Sequence, residues 1–329
     1  MTLDIIVPHY REPWTTCKYL FDSIAMQRAI PWENVKAIVV NDGDDTSLDD
    51  VDFGNYPYCV EYMKMPHGGV SAARNYGLDH SKADYIMFCD ADDGFLSNYG
   101  LHMLFAAMQE GFDFLISNFV EETYTQEEHA RVIYPHDQDL TFVHGKVYRR
   151  EFLKEHDLRF DPKLTIHEDG YFNMLVNVEA ENKGKIKKIT TPFYLWCWND
   201  HSTVRSNKQD YVLRTYDHVM NVRTATCREL KRRGYDKQFS MAVGMTVLNS
   251  YYDFQKTSYH TAKNQKNLRM AEKAFKGFWV EFKKVFYDLT NMQVADIAKV
   301  ARANAVKNGM MMEQTDLKSF LKYIEGIKP

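Results

Sequence analysis

No stretch of this 329-residue chain approaches the roughly 20 consecutive apolar residues that a helix needs to cross a bilayer, so no helical membrane span is expected. The opening Met1-Thr2-Leu3-Asp4 has no basic segment ahead of its short apolar run, which argues against a secretory leader. Cysteine is sparse: five residues, at 17, 59, 89, 197 and 227, contain no pair at metal-ligand spacing. Their odd number and scatter point to reduced, mostly buried thiols in a cytoplasmic protein and speak against a structural zinc site. Internal repeats, long disordered linkers and base-reading nucleic-acid motifs are also missing. What remains is an ordinary globular composition, long enough for one large domain and a smaller one.

Charge is unevenly spread. Residues 1–204 carry 18 Lys plus Arg against 33 Asp plus Glu, a net of −15, whereas residues 205–329 carry 23 against 12, a net of +11. That break divides the chain into segments 1–204 and 205–329. The basic segment favours an anionic partner, docks on the acidic segment, or is a solvated helical surface; composition leaves the three open.

The first segment alternates short apolar strands with helical stretches. Strands are expected at Leu3–Val7, Val35–Val40, Cys59–Met63, Asp84–Cys89 and Phe112–Ile116, and helices at 14–27, 70–78 and 98–109. This rhythm predicts a mostly parallel sheet covered by helices, with ligands collecting at the carboxyl ends of the strands. Beyond residue 120 the alternation weakens; 147–155 and 169–178 read as helices and 193–198 as a strand. From about residue 208 the pattern becomes helical, with segments near 208–233, 237–256, 262–286, 291–305 and 313–325 that fit a bundle.

Chemistry-bearing residues cluster where strands end. Cys89-Asp90-Ala91-Asp92-Asp93-Gly94 follows the apolar run Tyr85–Phe88. Side chains two apart in an extended segment share a face, so Asp90 and Asp92 either converge on one hard cation or form a solvated acidic turn. Pro8-His9-Tyr10-Arg11-Glu12 follows the first strand, and Asn41-Asp42-Gly43-Asp44-Asp45 the second. His67-Gly68-Gly69 opens a helix whose N-terminus suits phosphate. Arg74 on that helix either binds phosphate or braces a carboxylate such as Asp42. Glu168-Asp169 precedes the apolar helix Tyr171–Leu175, where acidic residues are also ordinary helix starters.

In their order, the segments Ile5-Ile6-Val7-Pro8-His9-Tyr10, Val39-Val40-Asn41-Asp42-Gly43, Gly69-Val70-Ser71-Ala72-Ala73-Arg74-Asn75, Asp90-Ala91-Asp92-Asp93 and Glu168-Asp169 resemble the inverting family 2 glycosyltransferases. The resemblance covers most of residues 3–204. It implies an α/β nucleotide-sugar transferase domain of the type A fold, here followed by a basic helical C-terminal domain over 205–329. It implies a UDP-sugar donor held by Pro8, His9, Tyr10, Glu12, Asp42, Arg74, Asp90, Ala91 and Asp92, with Asp42 receiving a uracil N–H. It further implies Mn²⁺ or Mg²⁺ on Asp90 and Asp92, with His201 as a third ligand or a diphosphate contact. Asp169 is then the base that deprotonates the acceptor hydroxyl, and Glu168 orients the loop or touches the acceptor.

There are departures from the family pattern. Asn41 stands where an acidic residue is common, and the Gln-x-x-Arg-Trp signature of processive members is absent near Trp198–Arg205, which favours a single-transfer enzyme. His144-Gly145-Lys146 lies where relatives shape the donor-sugar and acceptor entrance. The expected reaction is transfer of a hexose or N-acetylhexosamine to a hydroxyl of an anionic glycan or polyol-phosphate cell-wall polymer. Three alternatives stay open: glycosylation of hydroxymethylated DNA bases, nucleotidylyl transfer, and a non-catalytic scaffold that binds anionic polymers. Arg223, Arg228, Lys231, Arg232, Arg233 and the lysines of 263–284, with Phe278, Trp279 and Phe282 as neighbouring apolar surface, suit a polyanion or the inner face of the cell membrane.

Overall fold

The computed structural model describes residues 1–43, 48–125, 130–199 and 211–328. The chain divides into two compact units, Met1–Ser202 and Thr203–Pro329. The first contains β1 (Leu3–His9), α1 (Trp14–Ala25), β2 (Val35–Asp42), β3 (Cys59–Met65), α2 (Val70–His80), β4 (Tyr85–Phe88), β5 (Gly94–Phe95), α3 (Gly100–Glu110), β6 (Phe114–Thr125), β7 (Ala130–His136), β8 (Lys146–Arg149), α4 (Arg150–Glu155), α5 (Glu168–Lys183) and β9 (Ile186–Trp196). The strands form one sheet in the order β3-β2-β1-β4-β8-β6-β9-β5, with β7 paired to β6. The first four run parallel, with Pro8 opposite Val40 and His9 opposite Asn41. The sheet then turns mixed: β8 is antiparallel to both β4 and β6, while β9 runs parallel to β6.

Continuous apolar runs suit a parallel sheet buried on both faces. Leu3, Ile5 and Val7 point to one side, where α1 delivers Cys17, Leu20, Phe21 and Ile24 at helical spacing into the same core. Ile6 points to the other side, towards α2. Gly77 of that helix lies so close that a Cβ there would sit 2.5 Å from the Ile6 side chain. Both packings aim the ends of β1 and β2 and the start of α2 at one place.

Three local readings of the sequence are corrected by pairing across the sheet. Residues 147–155 are not one helix, because Val147 and Tyr148 pair with β4 and β6 before α4 begins at Arg150. The strand expected at 193–198 starts earlier, at Ile186, and ends at Trp196. Past residue 120, β6 continues into an antiparallel hairpin with β7.

The second unit is helical: α6 (Tyr211–Arg214), α7 (Tyr216–Arg232), α8 (Asp236–Asp253), α9 (Gln265–Tyr287), α10 (Asn291–Lys307) and α11 (Leu317–Gly326). Leu268, Ala271, Phe275, Phe278, Trp279, Phe282 and Phe286 form the buried stripe of α9. Phe278, Trp279 and Phe282 are therefore core side chains and not the apolar surface expected beside the basic run. A capping box between Thr290 and Gln293 starts α10. Among the described residues no helix is long and apolar enough to cross a membrane.

Candidate active site

The exit of β4 turns immediately at Asp90, and the α2 and α5 N-terminal regions meet it from the sides. Arg74 is the centre of this meeting. Its buried guanidinium donates through Nη2 to Asp90 Oδ1 at 2.9 Å, and through Nη1 to Glu168 Oε1 at 3.0 Å and to Asp169 Oδ1. The ring of Phe160 lies under it, 5.2 Å from Cζ. Arg74 thus braces carboxylates, and these are Asp90, Glu168 and Asp169 instead of Asp42. The other oxygen of Asp169 accepts the Val143 N–H at 3.1 Å, so both of its oxygens are held.

These contacts separate neighbouring carboxyl groups. Burial acts to raise the Asp90 pKa, but the Arg74 guanidinium and the His144 hydrogen bond overcome it and hold this carboxyl below the usual range. Glu168 is pushed up to about 8, by burial first and by the Asp169 charge second. Glu12 is pushed up to about 7 by burial, with smaller contributions from Asp92 and Asp90, even though its Oε2 accepts the Tyr10 N–H at 2.7 Å. The same crowding raises Asp92, by burial and the charge of Asp90.

The structure gathers a donor set that only partly coincides with the expected metal ligands. One ligand atom each from Asp90, Asp93 and His144 lies within 4.8 Å of the others. His144 Nε2 is 3.4 Å from Asp90 Oδ2 and 3.6 Å from Asp93 Oδ2. Its ring is sandwiched between Phe142 and Tyr194, at centroid distances of 5.3 and 4.8 Å, and its buried Nδ1 has no hydrogen-bond partner. Asp93 is fully buried, accepting from the Tyr194 hydroxyl and from the Cys197 N–H; burial and then the charges of Asp92 and Asp90 raise its pKa well above the ordinary value. Asp92 stands outside this set and accepts from Asn199 Nδ2 at 2.7 Å. His201 lies outside the described residues. Ala91, between the two aspartates, is packed in the core.

At the exit of β2, Asp42 is buried and accepts the N–H groups of Gly68 at 2.7 Å and Gly69 at 2.9 Å. It therefore ties the β2 exit to the segment that opens α2. Gly43 is required there: its φ is +72°, and a Cβ would lie 2.3 Å from the His67 backbone nitrogen. Tyr10 stacks on His67 at 4.6 Å, forming an aromatic wall beside this turn. His9 is buried under it, with Nε2 2.8 Å from the Glu12 carbonyl, and Pro8 remains in the β1–β2 ladder.

Sequence alone assigns no role to Tyr194 or Asn199, and it leaves the direction of Asp93 to a bend in the exit loop. Asp93 follows Asp92 and points the other way in an ideal strand, and its inward position depends on the bend after β4. In the sequence His144 reads only as part of an entrance; its alternation with Phe142 is the available signal, and its aromatic sandwich comes from β9 and the segment before β8. Lys146 is fully buried below, donating to the His144 carbonyl at 3.0 Å.

A mixed α/β sheet with acidic groups at the ends of β1, β2 and β4, followed by a helical unit, is a nucleotide-sugar-binding fold of type A. Residues 4–182, more than half of the chain, match the model of Glycosyl transferase family 2, and the chain belongs to that family. It is 27% identical over 221 residues to the uncharacterized glycosyltransferase EpsJ of Bacillus subtilis (strain 168), covering 61% of this chain and 62% of EpsJ. It is 28% identical over 193 residues to the minor teichoic acid biosynthesis protein GgaB of the same organism, covering 52% of this chain and 21% of GgaB. The matches thus span less than two thirds of the length of these relatives. The fold of S. aureus TarS 1-349 superposes with a TM-score of 0.60 at 16% identity, covering 94% of this chain and 92% of that one.

Proposed function

We propose that this protein transfers a hexose or N-acetylhexosamine from a UDP-sugar to a hydroxyl of an anionic cell-wall glycan, with inversion at the anomeric carbon. The observation that carries the reading is Arg74, which joins Asp90 on the donor side to Asp169 and Glu168 on the opposite side through one buried guanidinium. TarS of the same fold has been solved with UDP and with UDP-GlcNAc, and GgaB is named for teichoic acid biosynthesis; both support the donor and acceptor class.

Asp169, fixed by Arg74 and the Val143 N–H, takes the proton from the acceptor hydroxyl as its oxygen attacks the anomeric carbon. The bond from that carbon to the UDP oxygen breaks on the opposite face. The Tyr10–His67 wall and the Asp42 turn hold the nucleotide end. Asp90, Asp93 and His144, whose donor atoms lie within 4.8 Å of one another, would hold one Mn²⁺ or Mg²⁺, and the family resemblance adds Asp92 to them. When bound, such an ion supplies positive charge to the departing diphosphate. Arg74 keeps Asp90 in place, and Glu168 lines the acceptor side.

The test measures UDP release from UDP-glucose and UDP-GlcNAc with teichoic-acid-type and neutral acceptors, alongside competitive binding of UDP, GDP, CDP and dTDP. The reading expects UDP preference, divalent-ion dependence and a product of inverted configuration. Asp169→Asn should keep UDP affinity and lose at least about 100-fold in turnover. A retained configuration, or near-normal transfer by folded Asp169→Asn, overturns the assignment of the base.

A further inference from the structure

The long helix α9 buries one apolar stripe, yet its opposite side is not simply hydrophilic. At 23 residues it is about 34 Å long. Lys266, Arg269, Lys273, Lys283 and Lys284 project along the outward side at helical spacing, all exposed. Between them, Met270, Val280 and Tyr287 are 49%, 59% and 64% exposed. No carboxylate of α9 falls within this face: Glu272 is buried, and Glu281 at its edge is taken by Arg228 at 2.6 Å. Lys283 reaches Glu325 at 3.5 Å, at the other edge.

We infer that this face of α9 docks the protein peripherally on an anionic lipid surface. Two observations choose a membrane over a soluble polyanion. The aromatic residues that a glycan platform would need, Phe278, Trp279 and Phe282, are in the core. What the helix leaves outside is aliphatic, with one tyrosine, set among cations. Such a surface places amine and guanidinium groups at the level of lipid phosphates, while methionine, valine and the tyrosine ring enter the headgroup boundary. A polyphosphate chain has no use for the apolar members. The inference is independent of the donor and acceptor assigned above, because no residue of α9 is given a part in that assignment.

The test is co-sedimentation of the full chain with phosphatidylcholine vesicles, with and without phosphatidylglycerol, over a range of salt concentrations. Binding is expected only with phosphatidylglycerol and should weaken with salt. Lys266→Glu/Lys273→Glu/Lys284→Glu should lower partitioning roughly a hundredfold or more, at about fivefold per cation removed. Met270→Ser/Val280→Ser keeps every charge and should lose the part of the binding that resists salt. These positions are exposed, so an unchanged circular dichroism melt and unchanged UDP affinity are expected of both variants. Equal binding to neutral vesicles, no loss in the charge-reversed variant, or retention on soluble polyphosphate as tight as on vesicles would overturn the proposal. A concentration-dependent dimer abolished by the same replacements would overturn it as well, by assigning the face to a second copy.

Discussion

Arg74 is the residue on which the site turns. A buried guanidinium facing three carboxyl groups is sustained by their charges, and removing it leaves buried acids without compensation. Arg74→Met is therefore expected to cost about 3–5 kcal/mol of stability and to reduce transfer at least about 100-fold, measured by denaturant unfolding and by UDP release. A variant as stable as the parent would show that the guanidinium does not hold this cluster together. Glu168 allows a sharper measurement, because its carboxyl is pushed up to about 8 by burial and by Asp169. An acid with a raised folded pKa takes up protons on folding. Its contribution to stability is present below its unfolded value of about 4.5 and is lost as pH rises through about 8. Glu168→Gln should thus flatten the fall in stability between those limits, a difference on the order of 5 kcal/mol at most. Identical pH profiles of the melting temperature in the two proteins would refute the raised Glu168.

At the scale of elements, the loops at strand ends carry more constraint than the helices around them. Gly43 follows β2 with φ +72°, in contact with the His67 backbone, and backbone cannot move aside as a flexible side chain would. Gly43→Ala is expected to cost roughly 3 kcal/mol or more, from the unfavourable φ together with the displaced segment 67–69. Because Asp42 holds Gly68 and Gly69, UDP affinity should fall with it; calorimetric titration checks this, and an intact affinity would separate the turn from the nucleotide site. The same elements show what a sequence reveals. β1, β2, β3, α2 and the long C-terminal helices were legible because their apolar periodicity is local and continuous. β8 was not: four residues carry too little pattern, and only pairing with Met87 and Leu115 makes Val147 part of a strand. The first half of β9 carries Lys187, Lys188 and Thr190, whose polarity hides it. Within the site, Asp90, Arg74 and Asp169 could be named in advance, but their meeting on one guanidinium could not, since it joins residues 16 and 95 positions apart.

At the scale of the molecule, charge distribution sets the condition for binding. The segment 1–204, which carries the site, has a net charge of −15, yet the proposed donor is a diphosphate. Burial first, and mutual repulsion after it, raise the pKa values of Glu12, Asp92 and Asp93 at the place proposed for that anion. One uncompensated pair of like charges at about 5 Å costs about 3 kcal/mol at an effective dielectric of about 20. UDP is therefore expected to bind about a hundredfold more weakly without a divalent cation than with Mn²⁺, and Asp92→Asn should reduce the gain that the cation brings. Hydrogen exchange locates the effect. With UDP and Mn²⁺ together, protection should rise at residues 8–12, 41–43, 67–75 and 89–93. The α9 amides should exchange at their unliganded rate, because every residue assigned to the donor belongs to the first unit. Protection by UDP alone equal to that with Mn²⁺ would mean that Arg74 and the backbone N–H groups of 67–70 suffice for the diphosphate. Protection appearing mainly in α7 to α11 would move the donor site out of the first unit altogether.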